Sequence, residues 1–181
     1  MIRAEDIVYF WFTEITPQDW WRKDASFDAM IRRRFLPLYE AAAQGELAPW
    51  RDTPRGRLAE IIVLDQFPRN MFRDTPRAFA TDAMALVCAQ EAVRAGADEA
   101  LPPYWRAFLY MPYMHSESRT VHETSIELFA ATPELSENLK FAHAHKDIVD
   151  RFGRYPHRNA IVGRSSTAEE LAFLTQPGSG F

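Results

Sequence analysis

Twelve prolines and seven glycines cut this chain into segments that carry helix start and stop signals. No segment between them shows the apolar–polar alternation of a half-buried strand, so the sequence predicts an all-α fold. The clearest start is Thr53-Pro54. A threonine hydroxyl can cap the first free amides, and proline is at home at the first helical position, where its missing N–H is not needed. The helix opened there carries Leu58, Ile61 and Ile62 on one face, and Pro68 is expected to end it and start a turn.

The other elements follow from the same signals. A first helix spans about Ala4 to Phe12, with the aromatic run FWF read as core. A second runs from near Ser26 to Ala43, capped by Asp24 or Ser26 and stopped by Gly45, with a kink or break expected at Pro37. Asp82 to Ala95 lies between Thr81, a cap, and Gly96, and its wide apolar stripe suits a central core helix. A shorter helix opens at Pro102-Pro103 and is expected to end at Pro112, and another spans Ser116 to Ala131. The next starts at Pro133-Glu134 and runs to about Phe152, placing Phe141, His145, Ile148 and Phe152 on one face, with Gly153 as its stop. Ser166 and Thr167 with Glu169 and Glu170 offer a capping box for a last short helix through Leu174. That makes seven to nine helices in a single domain over residues 1–181, with a loose tail at 176–181. No self-similar period of helical repeats is visible in the residues.

Composition narrows the function classes. A pI near 5.7 and a net charge of −4 argue against a general nucleic-acid binder. No apolar run is long enough for a membrane helix, and the start MIRAEDIVYFWF lacks the pattern of a cleavable leader. With one cysteine, Cys88, in an apolar run, no internal disulfide can form, and a reduced cytoplasmic compartment fits.

Against this acidic background, residues 151–166 hold Arg151, Arg154, Arg158 and Arg164 with His157 and Asn159, and no acid. Guanidinium forks match carboxylate and phosphate oxygens. Three readings are open: structural clamps that cap carbonyls and pair with acids, an anion site, or a partner-binding surface. In an extended segment His157 and Asn159 would face one ligand while Arg158 turned inward. Asp65 continues the apolar face of its helix by one more turn. A carboxylate that is both inward and near a helix C-terminus needs a cation or donor. Arg69, Asn70 and Arg73 follow it. His115-Ser116-Glu117 offers a histidine beside a carboxylate, the pairing used for an oriented base, with Ser116 read as a helix cap. The histidine spacings fit no metal site, since His143 and His145 point apart on a helix and His115 and His122 lie two turns apart. Phosphate-loop and dinucleotide glycine patterns are absent, so neither metal nor cofactor is expected.

Taken as a set, FWF, FDAMIRRRF, LDQFPRNMFR, MHSE and FGRYPHRNAIVGR with the following SST resemble the bacterial family known as domain of unknown function 924, over about Ile7 to Leu174. The positions carried are Asp65, Gln66, Phe67, Pro68, Arg69, Asn70, His115, Ser116, Glu117, Gly153, Arg154, Pro156, His157, Arg158, Asn159 and Arg164. Two departures are Pro37, inside a helix that usually reads through, and Tyr155, where phenylalanine is common. The resemblance implies a tetratricopeptide-like right-handed array of antiparallel helix pairs, and it supplies no activity.

The candidate ligand-binding set is Asp65, Arg69, Asn70, His115, Glu117, Arg154, His157, Arg158, Asn159 and Arg164, with His115, Glu117 and His157 as the catalytic candidates. The leading expectation is a polar pocket for a small anionic metabolite. The alternatives are a protein-interaction module in which this cluster is structural, and an enzyme, such as a hydrolase, using His115 and Glu117. Neither nucleic acid nor membrane is expected as a partner.

Overall fold

The computed structural model describes residues 2–180. Eight α-helices account for the architecture, with short 3-10 turns between them and no strand among the described residues. They are α1 (Ala4–Tyr9), α2 (Ala25–Ala43), α3 (Pro54–Met71), α4 (Asp82–Arg94), α5 (Pro103–His115), α6 (Arg119–Ala130), α7 (Ser136–Phe152) and α8 (Ala168–Leu174). α1 continues into a π-turn over Phe10–Glu14. The caps sit where the local chemistry puts them. Asp24 accepts the Phe27 amide at 2.8 Å, Thr53 accepts the Gly56 amide at 3.0 Å, and Thr167 forms a capping box with Glu170.

Each helix packs on the next, from the α2/α3 pair through to α6/α7, while α3 also packs on α1 and α5. α3 is therefore the central element, and it is buried without a break from Leu58 to Pro68. This corrects the expectation that Asp82–Ala95 would be central. α4 buries only the small side chains Ala85, Cys88, Ala89 and Ala92, which let it lie close on α3, and leaves Val87 56% exposed. Phe10, Trp11, Phe35, Phe67 and Phe108 knit α1, α2, α3 and α5 together, with Phe35 stacked on Phe67 at 4.8 Å and Trp11 edge-on to Phe108 at 5.6 Å. In the first turn of α3, Gly56 passes directly under the Trp50 carbonyl, where a Cβ would lie 1.9 Å from the oxygen. On α7 the buried face is Ala142, His145, Ile148 and Val149, and Phe141 points outward, 58% exposed.

None of the three interior prolines ends its helix. α2 runs through Pro37, α3 through Pro68 and α5 through Pro112. Proline deprives the carbonyl four residues back of its donor, so each continuation needs that oxygen served in another way. Pro37 and Arg33 both lie on the solvent face of α2, so the freed carbonyl is on the side open to solvent. Leu64 is fully buried, and its carbonyl receives the Thr81 hydroxyl at 2.6 Å. Thr81, expected as an N-cap, makes no cap bond and closes the gap left by Pro68 instead. Thr81→Val removes that donor, keeps the shape, and is expected to cost about 1–3 kcal/mol, the penalty of an unserved buried carbonyl. Urea denaturation measures it, and an unchanged midpoint would contradict this role for Thr81.

The tail is tied through Gly180. The Ser179 hydroxyl donates to the Leu174 carbonyl at 3.2 Å, and a Cβ on Gly180 would meet the His157 Cβ at 3.4 Å. Phe181, the end of the tail expected to be loose, lies outside the described residues. No described helix is long and apolar enough to cross a membrane.

Candidate functional site

Because α3 continues through Pro68, Arg69 lies one turn beyond Asp65 on the same helix face. Asp65 is fully buried. Its Oδ2 accepts Gln66 Nε2 at 2.6 Å, and its Oδ1 faces His115 Nδ1 at 2.7 Å and Arg69 Nη1 at 3.3 Å. Burial alone would raise the carboxyl pKa, but Arg69 and His115 outweigh it and hold the group at about 2.

His115 is the last residue of α5. An ionised Asp65 can only accept, so Nδ1 of His115 carries the hydrogen and Nε2 carries the lone pair. Burial, reinforced by Arg69 and opposed by Asp65, pulls the imidazole below its usual pKa, which keeps the ring neutral at physiological pH. The side chain retains 16% exposure.

Two acids downstream of α3 hold the arginines. Asp82, at the start of α4, accepts the Arg69 fork at 2.9 and 3.1 Å, and also meets Arg158 Nη1 at 3.3 Å. Arg158 Nη2 donates to the His115 carbonyl at 3.0 Å. Its guanidinium lies between the rings of Phe79 and Tyr155, 4.5 and 4.7 Å from their centroids. Glu117 receives a two-pronged contact from Arg164 at 2.6 and 2.8 Å and the Tyr155 amide at 2.7 Å. Burial, opposed by these bonds, leaves the Glu117 pKa below its usual value. The HSE turn is thereby fastened to the arginine-rich segment.

These groups border a cleft of about 340 Å³. It is lined by the polar residues Asp82, His115, Ser116, Glu117, Arg158 and Arg164 together with the apolar Phe79, Ala80, Ala83, Leu86, Pro112 and Val162. Three arginines, with Arg69 behind the wall, stand against three carboxylates, Asp65, Asp82 and Glu117. A larger hollow of about 410 Å³ lies beside Tyr9 and Phe35, but its arginine, Arg34, is forked onto Glu14 and no histidine lines it.

Of the ten candidate residues, His115, Glu117, Arg158 and Arg164 border the cleft, and Asp65 and Arg69 stand directly behind them. The other four lie elsewhere. Asn70 joins Arg73 in gripping Asp28 of α2, at 2.6–2.8 Å. Arg154 forks onto Glu170 at 2.6 and 2.8 Å and fastens α8 to the end of α7. Asn159 is fully buried and donates to Ser166 Oγ at 3.0 Å, while the His157 ring packs 5.5 Å from that of Tyr155. Arg158 turns to an acid, Asp82, as expected and also borders the cleft, whereas His157 and Asn159, expected to face a ligand there, do not line it. Residues Pro156–Arg158 form a 3-10 turn, in which the two-residue alternation of an extended chain does not apply. Ser116 does not cap α6. Ser118 does, and Ser116 Oγ accepts the Ser118 amide at 3.1 Å.

Asp82 and Phe79 were not singled out from the sequence. An acid in the first turn of a helix is already explained by the helix dipole, so nothing marked Asp82 as the acid shared by two arginines. No group of three His, Cys, Asp or Glu side chains among the described residues is placed to hold a metal ion. Behind the cleft, His122, His145 and His157 surround Tyr155, with ring centroids 5.5–6.2 Å from it. Burial lowers the pKa of all three, to about 3 for His145 and about 4 for His157.

Comparison with known proteins places this geometry. A solved structure, that of the protein of unknown function ATU0120 from Agrobacterium tumefaciens, is 42% identical, with 94% of this chain and 96% of that chain covered and a TM-score of 0.90. No curated protein matches the chain. The model of a family described as bacterial protein of unknown function (DUF924) matches residues 7–178, a span that includes every residue bordering the cleft. The chain belongs to the DUF924 family of bacterial proteins.

Proposed function

We propose that the cleft binds a small monocarboxylate with an apolar body. The observation that carries this reading is Arg158. It borders the cleft, is 8% exposed, and has one acid contact, at 3.3 Å to a carboxylate that Arg69 already occupies. Burial, opposed by Asp82 and Glu117 and reinforced by Arg69, pulls its pKa below the usual guanidinium value, and it shares its one acid with Arg69. A ligand carboxylate supplies a second. Arg164 is matched by Glu117, so no second spare cation favours a phosphate or a dicarboxylate. Neutral His115 adds a hydrogen-bonding edge, and Phe79, Leu86, Pro112 and Val162 suit an aliphatic or aromatic body. A cytoplasmic location belongs to this reading and accords with the buried thiol of Cys88, whose pKa burial pushes up to about 11.

A thermal-shift series with butyrate, benzoate, succinate and inorganic phosphate tests it. At one hundred times Kd the ligand stabilises by about 2.7 kcal/mol, or roughly 5–10 °C for a domain of this size. Butyrate or benzoate should give that shift and phosphate should not. Arg158→Met, which leaves the Arg69–Asp82 fork in place, should abolish it while circular dichroism stays helical. A phosphate shift that survives Arg158→Met, or no shift with either monocarboxylate, would overturn the proposal.

A further inference from the structure

We propose that this cleft hydrolyses small esters of apolar acyl groups, with His115 as general base, Arg158 facing the oxyanion and Asp65 as the positioning residue. The inference rests on the carboxylate reading, because the acid released by hydrolysis is the ligand assigned to Arg158. Three features carry it. Asp65 fixes the His115 ring through Nδ1 at 2.7 Å and is itself pinned by Gln66 and Arg69, so Nε2 presents its lone pair in a set direction. His115 and Arg158 border the same cleft and are joined by the Arg158 Nη2 bond to the His115 carbonyl at 3.0 Å, so base and cation keep their separation. Phe79, Leu86, Pro112 and Val162 line the same cleft and suit an acyl chain.

Water is the nucleophile. No hydroxyl or thiol hydrogen-bonds His115 among the described residues, and the nearest in sequence, Ser116 Oγ, accepts the Ser118 amide and makes no bond to the imidazole. Nε2 removes a proton from water as its oxygen bonds to the acyl carbon, and the carbonyl oxygen becomes an oxyanion facing Arg158. Collapse breaks the bond to the alkoxy group, which takes the proton from Nε2 and leaves as the alcohol. The acid loses its proton to solvent and remains as the carboxylate opposite Arg158. Glu117 takes no part in the proton transfer, since its oxygens are held by Arg164 and the Tyr155 amide.

The test is hydrolysis of p-nitrophenyl butyrate by the full-length protein between pH 4.5 and 8.5. The rate should rise with pH to a plateau by neutrality, through a pKa below 6.5, the side on which His115 lies. His115→Gln should lower kcat/KM at least 100-fold and keep the butyrate thermal shift. Asp65→Asn removes the charge that raises the His115 pKa, so it should lower kcat and move the acid limb to lower pH. His143→Asn, at an exposed histidine remote from the cleft, should change neither. A rate unaffected by His115→Gln while butyrate still binds would overturn the hydrolytic step and leave the binding reading intact. His115-dependent hydrolysis without a butyrate shift would overturn the carboxylate reading instead.

Discussion

Gly56→Ala is expected to lower stability by about 4 kcal/mol or more, enough to leave much of the chain unfolded if wild-type stability lies at the low end of the usual range of about 5–15 kcal/mol. An alanine Cβ would stand 1.9 Å from the Trp50 carbonyl oxygen, 2.8 Å from its carbon and 2.9 Å from Thr53 Oγ1. The first two atoms are backbone, so no side-chain rotation relieves the clash. Nor can the 3-10 turn over Ala48–Asp52 swing away freely. Arg51 within it forks onto Glu60 at 2.6 Å in both prongs, and Glu60 is fully buried in α3. Separating that pair strands a buried carboxylate, which typically costs about 3–5 kcal/mol. Helix propensity has the opposite sign, since alanine is favoured over glycine by about 1 kcal/mol in a helix interior. A guanidinium melt showing Gly56→Ala within about 1 kcal/mol of wild type would mean that this close approach is absent.

The second large effect is with pH. His145 has a folded pKa of about 3, because burial outweighs its bond to the Phe141 carbonyl, against about 6.5 unfolded. The unfolded chain therefore binds the proton first as pH falls. Stability is full above pH 6.5 and declines continuously below it, by about 2 kcal/mol between pH 7 and pH 5 for His145 alone. His157, with a pKa of about 4, adds a comparable loss over this window, since both folded values lie below pH 5, and His115 and His122, also lowered by burial, act in the same direction. Asp65 does not contribute in this window, since its carboxyl titrates towards about 2 and its stabilisation is lost only at still lower pH. Urea midpoints at pH 7, 6 and 5 should fall progressively, and His145→Gln should flatten the slope. A midpoint that is level or rising towards pH 5 would contradict the burial of these imidazoles.

What could be read from the sequence was settled within a few residues. The caps at Asp24, Thr53 and Thr167 depend on a side chain reaching an amide three positions ahead, so local chemistry suffices. Proline did not behave locally. Whether Pro68 ends α3 turns on Thr81, thirteen residues on, whose hydroxyl serves the Leu64 carbonyl. That hydroxyl serves the carbonyl as α3 runs on through Pro68, which keeps Arg69 on the Asp65 face. The site divides in the same way. Asp65 on an inward face demanded a donor, and His115 and Arg69 supply it. The side on which His157, Arg158 and Asn159 point was set by the 3-10 turn after Tyr155, and residue types alone do not distinguish that turn from an extended loop. Asp82 required knowing that two arginines converge on it.

The cleft is written across a long stretch of chain, from Asp65 to Arg164, and its cations come last. During synthesis from the N-terminus, Glu117 emerges well before Arg164, the partner that neutralises it, and Asp82 well before Arg158. A chain ending before residue 158 keeps those acids and lacks both cations, leaving Asp82 with Arg69 alone and Glu117 without a guanidinium. Docking of the arginine-rich segment is thus what neutralises Glu117 and gives Asp82 its second cation.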